Sequence, residues 1–270
     1  MHPILEAVEA GFFAAAGALL GHLFSRLPKP YWTLGYFLPL LLILACGVAA
    51  HFPAASFVPP LSWFVLGRKK IFVAGFAATM VLTTPISRLP QKRDRVVVAL
   101  LTVVIALTGS VWPFLAPAFN HRQLEHLQTR VDANGVCRQT TDYTCGPASA
   151  VTALRKLGLP AEEGEIAILS GTTSSTGTPP DFLAAALQKR YGRDGLIVEY
   201  RAFKDVSELR QAGLTLAVIK FSFLVDHYVT VLQVTDSQVI VGDPLGGVDF
   251  LSYDEFRGKW RFTGVVLKRP

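Results

Sequence analysis

Four residues of the 270-residue chain have types and spacing that could do chemistry: Gln139, Cys145, His227 and Asp243. Cys145 is followed by Gly146 and Pro147. The helical spacing of Ala150, Val151, Leu154 and Leu157, closed by Gly158, predicts a helix that begins at or next to the cysteine. At a helix start, free backbone N–H groups and the helix dipole favour a thiolate over a thiol, which is a nucleophile's position. His227 stands before the alternating run Tyr228 to Leu232, where a strand could hold its imidazole against the sulfur as base and later as acid. Asp243 follows after a turn around Thr235 to Gln238, so a hairpin could bring its carboxylate to the imidazole and fix the tautomer. Gln139, six positions before the cysteine, could donate its side-chain amide to the oxyanion of a tetrahedral intermediate, together with the N–H of Cys145.

Taken singly, a cysteine at a helix start is an inert core thiol, a histidine before a strand is structural, and an Asp-Pro pair is a turn. The order and spacing carry more. Gln139-Thr-Thr-Asp-Tyr-Thr-Cys145-Gly146-Pro147, then Asp226-His227-Tyr228-Val229, then Gly242-Asp243-Pro244, with Glu255-Phe256 and Trp260 near the end, resemble the bacteriocin-type double-glycine leader peptidases, the thirty-ninth cysteine-peptidase family. The resemblance covers roughly residues 130–270 and implies a papain-like fold and cysteine-dependent proteolysis, in known members after a Gly-Gly pair that ends a leader peptide. It assigns Gln139 as oxyanion donor, Cys145 as nucleophile, His227 as base and Asp243 as orienter. It also implies a peptide or protein substrate and, where processing is coupled to export, a separate exporter. This chain departs from transporter-fused members in having Thr144 before the cysteine and Ala148-Ser149 after Pro147, and it contains no G-x-x-x-x-G-K-[ST] phosphate loop.

The elements that must position these residues follow from the apolar pattern. Short helices are predicted over Ala161 to Leu169 and Asp181 to Arg190. Strands are predicted over Leu196 to Arg201, Leu214 to Phe221, Tyr228 to Val234, Val239 to Val241 and Phe262 to Leu267. Helices followed by strands give an α+β domain with a mainly antiparallel sheet. The loop Ser170 to Thr178, rich in small polar residues, reads as mobile or substrate-contacting, and Gly246-Gly247 as a turn.

The first 120 residues are of another kind. They hold nine Lys and Arg against three Asp and Glu, whereas residues 121–270 hold seventeen of each, so the net +6 comes from the first part. The basic residues stand in short clusters between apolar runs at 10–27, 31–50, 71–86 and 96–118, as in membrane-flanking loops rather than on a nucleic-acid face. These runs predict about four transmembrane helices. With 51% hydrophobic and 17% charged residues, disorder is excluded and a wholly soluble globule is disfavoured. Glu6 and Glu9 argue against a cleavable signal peptide. The three-proline segment Phe52 to Gly67 suits an interfacial or re-entrant piece.

The expected organisation is a transmembrane region over 1–120, a polar linker over 121–136 and a papain-like cysteine peptidase domain over 137–270. The whole is an integral protein of the bacterial plasma (inner) membrane, with the lipid bilayer as a partner and no nucleic acid. Basic residues number six on one side and five on the other, which leaves the side of the catalytic domain open. Cys46 and Cys137 read as ordinary thiols, and His22, His51, His121 and His126 have no metal spacing, so no cofactor or metal is implied. Two other readings use the same residues: a papain-like transamidase or transpeptidase, in which an amine resolves the thioester, and a catalytically inactive peptide-binding membrane receptor.

Overall fold

A computed structural model describes residues 3–65, 69–174, 176–222 and 225–270. It divides into two compact units, Met1–Ala118 and Phe119–Pro270.

The first unit is helical. Helix α1 (Pro3–Ser25), α2 (Phe37–His51), the short α3 (Leu61–Val65), α4 (Lys69–Thr83) and α5 (Lys92–Ile105) are followed, after a π-helical stretch over Ala106–Val111, by α6 (Trp112–Glu125), which runs past Ala118. Among the described residues four helical stretches are long and apolar enough to cross a membrane: Ile4–Ser25, Tyr31–His51, Lys69–Arg88 and Lys92–Glu125. The first starts well before Ala10, because a helix tolerates Glu6 and Glu9 without a break. Within the proline-rich segment, α3 has 5 residues, about 7.5 Å of helix, far short of a bilayer core. Leu66 and Gly67 of that segment, and Arg68, lie outside the described residues.

Small residues make the helix contacts in this unit. A Cβ on Gly17 would strike the Phe76 carbonyl, and one on Gly21 the Thr83 hydroxyl, so α1 lies directly against α4. Thr79 Oγ1 donates across this contact to the Ala14 carbonyl at 2.7 Å. Arg88 does not stand free in its basic cluster: its guanidinium donates to the Ser25 and Leu27 carbonyls, which are orphan acceptors at the end of α1.

The second unit is a six-stranded, wholly antiparallel sheet with helices on both faces. The stretch 121–136, expected as a linker, carries the last turn of α6 and a strand, β1 (Arg130–Val131), which pairs with β2 (Cys137–Arg138). Then come α7 (Cys145–Lys156), α8 (Glu163–Leu169), α9 (Pro180–Tyr191), β3 (Ile197–Ala202), α10 (Ser207–Ala212), β4 (Leu214–Ser222), β5 (Val225–Val234), β6 (Gln238–Asp243), β7 (Gly247–Ser252), α11 (Tyr253–Lys259) and β8 (Trp260–Lys268). The sheet order is β3-β8-β4-β5-β6-β7. Alternation along the strands splits the core. Leu216, Val218, Tyr228, Val265 and Leu267 pack with α7, α8 and α9. Ala217, Ile219, Val229, Val231 and Val266 pack with Phe256, Trp260 and α10. Gly158, with φ of 72°, ends α7 in the left-handed conformation that a side chain resists.

The turn expected at Gly246-Gly247 opens into a six-residue edge strand, β7, that the local pattern does not announce. Two of its amides are engaged by side chains: Phe250 N–H donates to Asp249 Oδ1 and Ser252 N–H to Glu255 Oε2, each at 2.9 Å. The loop Ser170 to Thr178, apart from Ser175, which lies outside the described residues, is tied by hydroxyls rather than loose. Thr172 Oγ1 lies 2.7 Å from Thr178 Oγ1 and 3.2 Å from Ser170 Oγ, all buried, and Thr173 bridges Gly177.

Candidate active site

Helix α7 brings Cys145 to its first position. The cap residue Thr144 gives no side-chain hydrogen bond to the helix, because its hydroxyl is engaged with Thr141 instead. Pro147 sits in the first turn, where a missing N–H costs no helical bond. Gly146 packs closely, since a Cβ there would lie 3.0 Å from Thr178 Cβ and 3.4 Å from the Tyr228 ring. Two bonds pin the helix to β5 and a third ties β5 to the loop before α9. Ser149 Oγ donates to the Tyr228 carbonyl at 3.1 Å, Thr230 Oγ1 to the Ser149 carbonyl at 2.8 Å, and the Tyr228 hydroxyl to the Thr178 carbonyl at 2.9 Å. This clamp sets the sulfur relative to the next strand.

His227 lies inside β5, not before it, and pairs with Ile219, which in turn pairs with Trp260 of β8. Its backbone is therefore fixed in the sheet interior. Hairpin β5–β6, with Thr230 opposite Gly242, carries Asp243 to the same end of the sheet. His227 Nε2 lies 2.8 Å from Asp243 Oδ1, with the imidazole side chain 6% exposed and the carboxylate 26%. Asp243 Oδ1 also accepts from the Leu245 N–H at 2.8 Å.

The charges follow from this geometry. Burial pushes the His227 imidazole down, but the Asp243 hydrogen bond, the Cys145 hydrogen bond and charge, and the Asp243 charge outweigh it and raise the value from 6.5 to about 9. Burial pushes the Asp243 carboxyl up, and the hydrogen bond and charge of His227 with the Leu245 amide outweigh that, so it titrates below its ordinary value. With Nε2 committed to Asp243, Nδ1 is the ring nitrogen left for the sulfur. The Phe221 ring leans on the imidazole at 5.6 Å and 43°.

Gln139 is held by its backbone, whose N–H donates to the Pro244 carbonyl at 3.1 Å, next to Asp243. Its Nε2 donates to the Thr141 carbonyl at 2.7 Å, and its Oε1 is buried without a hydrogen-bond partner. Cys137 is a buried free thiol, raised to about 12 by burial and then by the Glu163 charge, so it is a poor nucleophile. Cys46 is also free. Among the described residues no group of His, Cys, Asp and Glu is placed to hold a metal.

Sequence reasoning missed several contributors. Tyr228 and Thr178 read only as parts of a strand and a loop, although the hydroxyl of a buried tyrosine usually finds a partner. Asp226, next to His227 in β5, is bonded at 2.7 Å to the Nε of the buried Arg261, which reaches it from β8. Glu163, fully buried at the start of a short helix, carries no periodic signal at all.

A thiol at a helix start acting on the same imidazole that a carboxylate holds is an arrangement suited to nucleophilic acyl transfer. The family model described as the peptidase C39 family matches residues 134–269, just over half of the chain, and the chain belongs to that family. It is 34% identical over 132 residues to an uncharacterized protein of Methanothermobacter marburgensis, covering 49% of this chain and 85% of the relative. To an uncharacterized protein of Methanothermobacter thermautotrophicus it is 26% identical over 144 residues, covering 53% and 95%. Among solved structures it is similar to the peptidase domain of Streptococcus ComA, a bifunctional ABC transporter of a quorum-sensing pathway. The TM-score is 0.44 at 20% identity, over 49% of this chain and 96% of that one. A double-glycine motif protease from an AMS/PCAT transporter, solved with the leader peptide, gives a TM-score of 0.41 at 18% identity, over 53% and 93%.

Proposed function

We propose that the chain is a membrane-anchored cysteine peptidase that cleaves peptide or leader-peptide substrates, with Gly-Gly before the cut. The observation that supports this best is the His227–Asp243 bond of 2.8 Å on an imidazole that also interacts with Cys145. In this reading the Cys145 thiolate attacks the scissile carbonyl, and the oxyanion is met by the Cys145 N–H and the Gln139 amide. His227, protonated, gives its proton to the departing amine and leaves a thioester on Cys145. It then takes a proton from water, which adds to the thioester and releases the acid. Asp243 holds the ring and stabilises its charged form. Family membership supports the Gly-Gly preference. The four apolar helices support anchoring in a plasma membrane, where tethering raises the local concentration near membrane-bound or translocating peptides.

The test uses the full chain reconstituted in lipid nanodiscs with a leader peptide ending in Gly-Gly. Mass spectrometry should find a new free carboxylate after the second glycine. Cys145→Ala should lower cleavage by on the order of 10⁴-fold or more with the fold intact. Undiminished cleavage by that variant would overturn the reading, and an amide-exchanged product would replace hydrolysis with transamidation.

A further inference from the structure

The Gln139 side chain is poorly held by its own contacts. One bond, from Nε2 to the Thr141 carbonyl, sets its amide, while Oε1 is buried and unpaired. Its orientation must therefore come from the backbone turn that carries it, and that turn is gripped at two points. One is the Pro244 carbonyl, which accepts the Gln139 N–H. The other is Glu163, whose side chain is fully buried. Both carboxylate oxygens of Glu163 are spent on Thr140, the residue after Gln139: Oε1 accepts from Thr140 N–H at 2.9 Å and Oε2 from Thr140 Oγ1 at 2.6 Å. Glu163 is held in turn, since its own N–H donates to Thr129 Oγ1 at 2.8 Å. A Cβ on the next residue, Gly164, would collide with the Leu124 carbonyl of α6, so the start of α8 has no slack.

Both oxygens of this one buried side chain are committed to a single residue, whereas a neutral amide of equal reach has only one oxygen to accept with. What the carboxylate adds is two strong, directed acceptors that fix a backbone amide and a hydroxyl of the same residue. We propose that Glu163 is a positioning residue for the oxyanion side of the site, acting through Thr140 to hold the turn that aims the Gln139 amide. The inference rests on the peptidase reading above, in which Gln139 donates to the oxyanion.

The experiment compares Glu163→Gln, Thr140→Val and Gln139→Ala, singly and combined, in the full chain in nanodiscs. Each is scored for kcat, KM and the rate at which iodoacetamide alkylates Cys145 across pH. Alkylation needs the sulfur and the imidazole but no oxyanion donor, so it separates positioning from damage to the fold. Gln139→Ala should lower kcat about 100-fold, the loss expected for one oxyanion donor. Glu163→Gln should lower it about tenfold at unchanged KM, with Thr140→Val in the same direction and alkylation profiles matching the parent. Combining Glu163→Gln with Gln139→Ala should cost no more than Gln139→Ala alone, because both act on one interaction. Full activity in Glu163→Gln, losses that multiply in the double variant, or an alkylation rate that falls with kcat would each overturn the inference. Cleavage that survives Cys145→Ala sinks the peptidase reading and this inference together. A dead Cys145→Ala beside a fully active Glu163→Gln sinks this inference alone.

Discussion

In the unit Met1–Ala118, Phe12, Leu41 and Leu44 turn outward at 70%, 64% and 68% exposure, while Gly17, Gly21 and Thr79 make the helix contacts. In the unit Phe119–Pro270 the arrangement is reversed. Trp260, Phe256, Leu216 and Leu267 fill the interior, and the helices meet the sheet through large side chains. Close packing through small residues suits helices whose surroundings are as apolar as their own side chains, whereas burial of large ones suits a surface that faces water. The same composition class, rich in Leu, Phe and Val, is thus packed in two different ways within one chain.

The largest test of this contrast exchanges bulk for nothing. Trp260→Ala should destabilise the peptidase unit by about 3–5 kcal/mol, seen as an earlier urea midpoint by circular dichroism, since it empties a packed interior. Phe12→Ala, which removes an outward ring, should stay within about 0.5 kcal/mol. An equal response to both would erase the contrast. Next, a charge can replace outward apolar bulk in each unit. Leu41→Lys should impair membrane integration by about 2.5–3.5 kcal/mol in an insertion assay. Ile197→Lys, at a position 58% exposed on β3, should leave the urea midpoint unchanged within error.

The smallest expected effect concerns pH and belongs to the peptidase unit alone. With His227 raised from 6.5 to about 9, its contribution to stability is complete below pH 6.5 and is lost as the pH rises through 9. Cleavage should lose its imidazolium acid over the same alkaline range. Asp243, lowered from 3.8, works in the opposite sense: its contribution is present above that value and is lost as the pH falls through the lowered one. Asp243→Asn should bring the alkaline limb of kcat/KM down by about 1 pH unit or more. An unmoved limb would show that the carboxylate does not tune the ring.

What could be read from the sequence was what depends on local pattern. The start of α7 at Cys145 was legible in the spacing of Ala150 to Leu157 and in Gly158. The antiparallel hairpin holding His227 and Asp243 was legible in two alternating runs around a turn. Strand β7 was not, because Asp249 and Phe250 break the alternation behind two glycines. Nor was the close approach of α1 and α4, since Gly17 and Gly21 are small among many small residues, and only the opposing Phe76 carbonyl shows why. Glu163 escaped for a related reason. A residue whose partners lie at Thr129 and Thr140 leaves no trace in its own neighbourhood, and a glutamate at a short helix start reads as an ordinary exposed charge.

The occupied amides of β7 bear on the company this domain keeps. An outer strand offering unpaired N–H groups would invite any extended polypeptide to zip onto it. With Asp249 and Glu255 answering two of those donors from within, that flank offers less to a passing backbone. Accidental fibre-like association is thereby discouraged along this edge.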